Sequence, residues 1–167
     1  MRSLLVCWIL FTGVSLTEVS AQAEFRVGFQ AGLPVGHIET SSNLKAGMEV
    51  AYLYSVVDIL EVGPMLGYSH YFIKEGIDLP YYKSSETQDI QLVPVTISGR
   101  AYFGGNFYLG AAGGYAFSLV DWTNGGIYYR PKLGVIFNGL GINASYEGIN
   151  MDEGTISSAN IGIEFNL

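Results

Sequence analysis

The sequence predicts an all-β protein, an eight-stranded antiparallel up-and-down barrel of the transmembrane type. Three observations predict this fold. Apolar residues recur at every second position along eight segments, the connections between those segments alternate in length, and the N-terminus has the order of an export signal. The composition agrees, since 49% of the 167 residues are hydrophobic and only 14% are charged, against roughly 25% in an average soluble domain.

The N-terminus is predicted to be a signal peptide, residues 1–23, which leaves residues 24–167 as one outer-membrane barrel domain. Arg2 supplies the positive start, residues 4–16 are uncharged and mostly apolar, and small residues precede the cleavage site after Ala23. The apolar stretch is shorter than the roughly 20 residues of a spanning helix. The alternative is a buried N-terminal helix, which does not account for this order of segments.

Charge and cysteine content exclude several classes of function. The chain has 8 Lys and Arg against 15 Asp and Glu, a formal net charge of −7, so we expect no nucleic-acid partner. Cys7 is the single cysteine of the sequence and lies inside the signal segment. The exported chain is therefore predicted to lack disulfides, cysteine zinc sites and thiol nucleophiles.

The first three strands show strict alternation, which places one set of residues on each face of a strand. Polar residues and glycines occupy most of the other positions. The apolar sets are Phe25, Val27, Phe29 and Ala31 in the first strand, Leu44, Ala46, Met48, Val50, Tyr52 and Tyr54 in the second, and Leu60, Val62, Pro64, Leu66 and Tyr68 in the third.

The fourth strand, near residues 89–103, has a less regular pattern. Ile90 and Leu92 share the apolar face at its start, whereas Val95 and every second residue after it share that face later. A β-bulge at Val93-Pro94 accounts for such a change of phase, since proline cannot donate to the ladder and a bulge absorbs one residue. The sequence therefore predicts a bulge at this point.

The last four strands return to clean alternation. Most of the eight segments have about the 9–11 residues that a tilted strand needs to cross a bilayer. Their apolar sets are Phe107, Leu109, Ala111, Gly113, Tyr115, Phe117 and Leu119; Ile127, Tyr129, Pro131, Leu133, Val135 and Phe137; Leu140, Ile142, Ala144 and Tyr146; and Ala159, Ile161, Ile163, Phe165 and Leu167.

The connections support the membrane interpretation. Segments 33–43 and 72–87 are long, and segments 121–126 and 148–154 are of moderate length. Three tight connections lie between them, at residues 55–58, 104–106 and 138–139. Alternation of long outer loops and short inner turns is typical of outer-membrane barrels, and the Asn-Gly pair at 138–139 is a strong hairpin signal.

One stretch favours a different fold at first sight. Residues 101–120 carry no charge and have the length of a transmembrane helix. They hold five glycines, however, and each glycine costs a helix about 1 kcal/mol relative to alanine. Their period of two also indicates strands, so the helical interpretation is set aside.

The two faces of the predicted strands differ in chemistry, and the polar face predicts a lumen filled with ion pairs. Five basic residues and four glutamates can pair there, and an eight-stranded barrel is just wide enough to be filled by side chains. The alternative is a β-sandwich with these charges on its solvent face. The predicted network consists of Arg26, Lys45, Glu49, Glu61, Arg100, Arg130, Lys132, Glu147 and Glu164.

Two segments carry a resemblance to a known family. Residues 92–97, Leu-Val-Pro-Val-Thr-Ile, and the glycine-rich strand at residues 107–115 resemble the PorT-like outer membrane protein beta-barrel domain family. The broader architecture is similar to small OmpA/OmpX-type barrels. The resemblance spans residues 24–167 and implies location in the bacterial outer membrane, contact with its lipid and insertion by the barrel-assembly machinery. The C-terminal strand resembles an assembly signal, with Leu167 in place of the usual terminal aromatic residue.

No catalytic, cofactor-binding or metal site is predicted. Ser69 and His70 are adjacent in a strand and point to opposite faces, so they cannot pair for nucleophilic catalysis, and His37 has no metal-motif spacing. The predicted function is structural or surface-binding, in adhesion or as a secretion accessory. Alternatives are a small pore, a lipid-modifying enzyme and a soluble lipocalin-like barrel.

The second long segment, 72–87, is the predicted surface for an extracellular protein or ligand, because exposed aromatic residues in a loop can mark a binding surface. The simpler interpretation is that the third and fourth strands protrude and pair beyond the membrane. The candidate binding residues are Phe72, Ile73, Tyr81 and Tyr82.

Overall fold

The computed structural model describes residues 23–36, 42–73, 89–120, 124–152 and 154–167. They form one closed barrel in which each strand pairs with its neighbour in chain order and β1 pairs with β8, all antiparallel. The strands are β1 (Ala23–Val35), β2 (Ser42–Val57), β3 (Leu60–Ile73), β4 (Ile90–Phe103), β5 (Phe107–Ser118), β6 (Gly126–Phe137), β7 (Leu140–Met151) and β8 (Gly154–Asn166). The eight-stranded antiparallel barrel predicted from the sequence is confirmed.

The predicted signal segment lies outside the described residues except for Ala23, which opens β1. Within the described ranges, no helix has the length and apolarity needed to cross a membrane. Residues 101–120, the stretch with helical length, instead contain the end of β4, a turn and the whole of β5.

Short turns join the strands at one end of the barrel. Asn138 has a φ of 49° and Gly139 a φ of 81°, the left-handed pair that a tight hairpin matching the strand twist requires. At the other end, β3 and β4 are separated by residues 74–89, whereas β7 reaches Met151 and β8 begins at Gly154. The connection expected at 148–154 is therefore shorter than predicted, because its residues continue the β7–β8 ladder.

The alternation along each strand creates two walls with opposite chemistry. The outer wall holds the large apolar residues, with Phe29, Ile97 and Leu133 all about half exposed or more. The inner wall holds the charged residues, with Lys45 and Glu147 fully buried. An exterior of this kind in water would expose far more contiguous apolar surface than soluble monomers do.

The predicted β-bulge at Val93-Pro94 is wrong. The β4–β5 register runs without a shift from Leu92↔Ser118 to Phe103↔Phe107, and the β3–β4 register is the same on both sides of Pro94. The strand keeps one phase throughout, so Ile90 and Leu92 point into the barrel and are buried there. The prediction failed because it assumed that apolar residues always face outward. The register shifts of the β2–β3 ladder lie instead near the two ends of β2.

Aromatic side chains concentrate toward the two ends of the outer wall. Phe103 and Phe107 stack with ring centroids 6.1 Å apart beside a short turn, and Tyr52 and Tyr54 meet edge to face at 4.9 Å near the same end. Tyr115 and Phe117 form a similar pair, at 5.0 Å, toward the long-connection end. This distribution matches the interfacial girdles of membrane barrels.

Close approach of β4 to β5 requires a glycine at position 114. A Cβ atom at Gly114 would lie 2.2 Å from the carbonyl oxygen of Val95 and 2.7 Å from Thr96 Cα, whereas one at Gly113 would have 3.9 Å to its nearest atom. We expect Gly114→Ala to lower the free energy of unfolding by about 1–3 kcal/mol, because backbone must move. Gly113→Ala is the matched control. Denaturant unfolding in detergent micelles measures both, and equal effects would contradict the prediction.

Candidate functional site: the charged lumen

The lumen contains a column of charged side chains that runs along the barrel axis. All nine residues of the predicted ion-pair network point into it, and each is at least nine-tenths buried. Among the described residues, five cations face five carboxylates there, the fifth carboxylate being Glu24 at the short-turn end. The balance of charge is physically required, because removing unpaired ions from water costs several kcal/mol each.

Glu147, on β7, is the centre of the part nearest the long-connection end. Its carboxylate accepts a hydrogen bond from Lys45 Nζ at 2.9 Å. It also accepts hydrogen bonds from the hydroxyls of Ser69, Tyr71 and Tyr128, each at 3.0 Å. Four donors on one fully buried carboxylate satisfy most of its acceptor capacity. This carboxylate links β2, β3, β6 and β7 across the lumen.

Glu49 occupies the middle of the column. Its two carboxylate oxygens accept from Lys132 Nζ, at 2.9 Å, and from the Arg130 guanidinium. Arg130 also donates to Gln30 Oε1 at 2.9 Å and lies 4.0 Å from Glu147. Arg130 therefore connects the central group to the Glu147 group.

Arg100 and Glu164 form a bidentate pair below this group. The two guanidinium Nη atoms donate to the two carboxylate oxygens at 2.7 and 2.6 Å, a geometry that is strong and directional. Tyr108 OH donates to Glu164 at 2.7 Å, and the Arg100 guanidinium lies 4.7 Å from the centre of the Tyr108 ring. Lys132 lies 4.0 Å from Glu164, which joins this pair to the central group.

A separate group closes the short-turn end. Arg26 Nη2 donates to Glu61 at 3.2 Å and to Tyr102 OH at 2.9 Å, and Tyr102 OH donates to Glu61 at 2.7 Å. Glu24 pairs with the same guanidinium and accepts from Asn166 Nδ2 at 2.7 Å. Paired polar side chains thus fill the lumen as far as its short-turn end.

Apolar side chains cover the column at the opposite end. Above Glu147, toward the long connections, the inner wall changes from charged to apolar. This cap separates the ion pairs from solvent at that end, which strengthens their electrostatic attraction. The buried side chains of the cap are Tyr71, Ile90, Leu92, Ala116, Ile149 and Met151.

Sequence reasoning missed four tyrosine hydroxyls and one carboxylate of this site. The alternation places Tyr108 and Tyr128 on the polar face, and continuing it by two residues along β3 and β4 places Tyr71 and Tyr102 there as well. An alternation of apolar and polar residues does not identify tyrosine as a donor, although its hydroxyl takes a hydrogen-bond partner when buried. Glu24 was missed because it stands next to the predicted cleavage site.

The candidate surface-binding residues divide between described and undescribed parts of the chain. Phe72 and Ile73 form the end of β3, where Phe72 is exposed on the outer wall and its ring lies 4.3 Å from that of His70. Tyr81 and Tyr82 lie outside the described residues, as does His37. The third strand thus extends into the segment that the sequence assigned to a loop.

Ser69 and His70 lie on opposite faces, as the alternation predicts. Ser69 is buried in the lumen on Glu147, whereas His70 lies on the outer wall, with Nε2 2.9 Å from Asp89 Oδ2 and Nδ1 3.0 Å from Tyr68 OH. Among the described residues, no group of three or more His, Cys, Asp or Glu side chains is arranged to hold a metal ion.

Asp89, which precedes β4 outside the strands, makes the stability of the contacts between the end of β3 and the start of β4 depend on pH. Burial opposes its ionisation, but hydrogen bonds from His70 and from the Ile73 N–H, at 2.9 Å, lower the pKa of Asp89 below its ordinary value of 3.8. Since the folded pKa is the lower one, this stabilisation is complete above pH 3.8 and is lost as the pH falls through the folded value. We expect the Ile73 amide resonance to titrate below pH 3.8 and to lose this step in Asp89→Asn. A midpoint at or above 3.8 would contradict the prediction.

Comparison with family models and with curated protein sequences finds no match. The resemblance to the PorT-like family therefore stays a prediction. Solved structures with the same architecture do match. The outer-membrane protein Ail of Yersinia pestis, in a phospholipid nanodisc, has a TM-score of 0.57 and 13% identity over 87% of this chain and 100% of that one.

Two further structures show the same fold. Neisserial surface protein A has a TM-score of 0.51 and 12% identity over 87% of this chain and 97% of that one. A transmembrane β-barrel designed de novo has a TM-score of 0.53 and 9% identity, with 86% and 95% covered. The chain is therefore similar in fold to small eight-stranded outer-membrane barrels.

Proposed function

We propose that the chain is an integral protein of the bacterial outer membrane, exported by residues 1–23, whose barrel is a closed anchor and whose long connections bind partners outside the cell. The observation that carries this proposal is the inverted distribution of side chains, with apolar residues outside and paired charges inside. A bilayer is the environment in which such a distribution is stable.

Membrane location is tested by fractionation and by gel mobility. We expect the protein in the outer-membrane fraction and expect the unboiled sample to migrate differently from the boiled one, because a closed barrel stays compact in detergent. Recovery of the folded protein from the soluble periplasm would overturn the proposal and favour a soluble ligand-binding barrel.

The closed lumen is the feature that favours a membrane anchor over a small pore. Among the described residues, five cations pair with five carboxylates in the lumen, and an apolar cap lies above them. We expect no steady conductance in planar lipid bilayers. A Glu61→Leu variant, which leaves Glu24 as the one carboxylate paired with Arg26 among the described residues, tests whether the short-turn end contributes to the seal. Steady channels in the unmodified protein would support the pore instead.

The proposed surface-binding role rests on the long connection between β3 and β4. It is the longest segment between two strands of the described fold, and it contains Tyr81 and Tyr82. Ail, the attachment invasion locus protein of Yersinia pestis, is one of the structural neighbours. Deletion of residues 76–86 is expected to abolish binding to a surface partner while the mobility difference remains. The proposal assigns no reaction to the chain.

A further inference from the structure

We propose that polar side chains reaching across the lumen hold β1 and β8 together. The ladder between these two strands, from Arg26↔Asn166 to Val35↔Ser157, is called the seam below. β1 and β8 are the first and last strands of the described fold, so no turn joins them, whereas every other pair of neighbouring strands is consecutive in the chain. The seam therefore depends on non-covalent contacts alone.

Local opening of the barrel is least restricted at the seam. When two consecutive strands separate, the segment between them keeps them close, and the entropy of closing such a short loop is small. No such segment limits the separation of β1 from β8. Separation would also create two strand edges, whose unpaired N–H and C=O groups find no partner in hydrocarbon. A closed barrel is thus stabilised by any contact that crosses the seam.

The ion pair of Lys45 and Glu147 crosses the seam toward the long-connection end. Lys45 lies on β2, next to β1, and Glu147 lies on β7, next to β8, so the shorter path between them around the barrel passes through the seam. Their side chains meet at 2.9 Å and are fully buried. Tyr71 of β3 and Ser158 of β8 meet across the same seam, with their hydroxyl oxygens 3.3 Å apart.

Two further contacts cross the seam closer to the short turns. In the middle of the lumen, Arg130 of β6 donates to Gln30 Oε1 of β1 at 2.9 Å. At the short-turn end, Asn166 Nδ2 of β8 donates to the Glu24 carboxylate of β1 at 2.7 Å. Polar contacts therefore cross the seam near both of its ends and in its middle.

Small residues on the inner face of the two seam strands leave space for these contacts. β1 has Gly28 and Gly32 on this face, and β8 has Ser158 and Gly162. A Cβ atom at Gly28 would lie 2.9 Å from Glu49 Cγ, so the Glu49 side chain of β2 passes over β1 toward the centre of the lumen. Long side chains from the strands beside the seam can therefore meet across the two strands that form it.

Hydrogen exchange of the full chain in detergent micelles tests the inference. NMR compares backbone amides of the seam with those of the β4–β5 ladder on the opposite side of the barrel. Glu147→Gln removes the charge that binds Lys45. We expect exchange at the seam to become about tenfold faster relative to the β4–β5 ladder, the effect of losing one charged hydrogen bond.

Glu61→Gln is the matched control. Glu61 is also a buried carboxylate and accepts from Arg26, but the shorter path between β3 and β1 passes through β2 and avoids the seam. We therefore expect no selective change at the seam in this variant. Selective acceleration there as large as in Glu147→Gln would overturn the inference, because the effect would not depend on crossing the seam.

Gln30→Leu is a second variant that leaves no charge unpaired. It removes the contact with Arg130, which keeps its pairing with Glu49. We expect a smaller but still selective acceleration at the seam, and this variant decides the question if Glu147→Gln does not fold. Equal acceleration of both ladders would show a loss of global stability and overturn the inference, as would the absence of any acceleration.

Discussion

Replacement of Glu147 by leucine is expected to lower the free energy of unfolding by about 3–5 kcal/mol, the scale observed when one partner of a buried ion pair is removed. The change leaves the fully buried Lys45 ammonium without its carboxylate. It also leaves the hydroxyls of Ser69, Tyr71 and Tyr128 without their acceptor. The apolar cap lies above these groups at the long-connection end.

Equilibrium unfolding by guanidinium chloride in detergent micelles measures this effect, with Glu147→Gln as the conservative variant. Gln keeps an acceptor oxygen but lacks the charge that Lys45 requires, so we expect a smaller loss. The double variant Lys45→Met/Glu147→Leu removes both ions, and we expect it to recover part of the stability, since apolar replacement of a whole buried pair is often neutral. A loss below about 1 kcal/mol for Glu147→Leu would place the pair on the scale of an exposed one and contradict its role.

Replacement of Ile97 by arginine is expected to cost about 2–4 kcal/mol in a bilayer, the cost of a cation at the lipid-facing midplane of a barrel. Ile97 lies at the middle of β4, and its side chain is 59% exposed on the outer wall. In water the same substitution at an exposed site would change stability by about 0.5 kcal/mol or less. The size of the effect therefore reports which solvent surrounds the barrel.

Val56→Arg is the matched control for this substitution. Val56 is 61% exposed, nearly the same as Ile97, but it lies at the end of β2 next to a short turn. We expect a cost of about 0–1 kcal/mol there, because an arginine near the interface reaches the headgroups. Unfolding in phospholipid vesicles distinguishes the two cases. Equal costs at the two sites would be inconsistent with a bilayer whose midplane lies at the level of Ile97.

The lumen network suggests why this barrel uses ions in place of an apolar core. A barrel with an apolar exterior and an apolar interior would have no periodic difference between its faces, and a slip of one residue would cost little. With charges inside, a one-residue slip of a strand would turn the charged side chains of that strand toward lipid, for example Arg130 and Lys132 of β6. The buried charges therefore oppose a slipped register, because the slip would place charge in hydrocarbon.

The apolar cap shows where local reasoning from the sequence fails. Ile90 and Leu92 are apolar, like the residues that face outward on the other strands. The pattern alone therefore predicts a change of phase in β4. The structure keeps the phase and places them inside, because the lumen near the long connections holds Tyr71, Ile149 and Met151 as neighbours. A residue's face follows from the continuous ladder with its two partner strands, which no single segment encodes.

The sequence by itself determined the fold class, the number of strands, the hairpin at Asn138-Gly139 and nine of the ten charged residues that pair in the described lumen. These properties depend on the period of two and on turn chemistry, which act within a few residues. Only the tertiary structure decided which ions pair and that tyrosine hydroxyls complete the network. Lys45 and Glu147 are 102 positions apart, and they meet because β1 closes on β8 and the accumulated register of eight ladders brings their side chains to one level of the lumen.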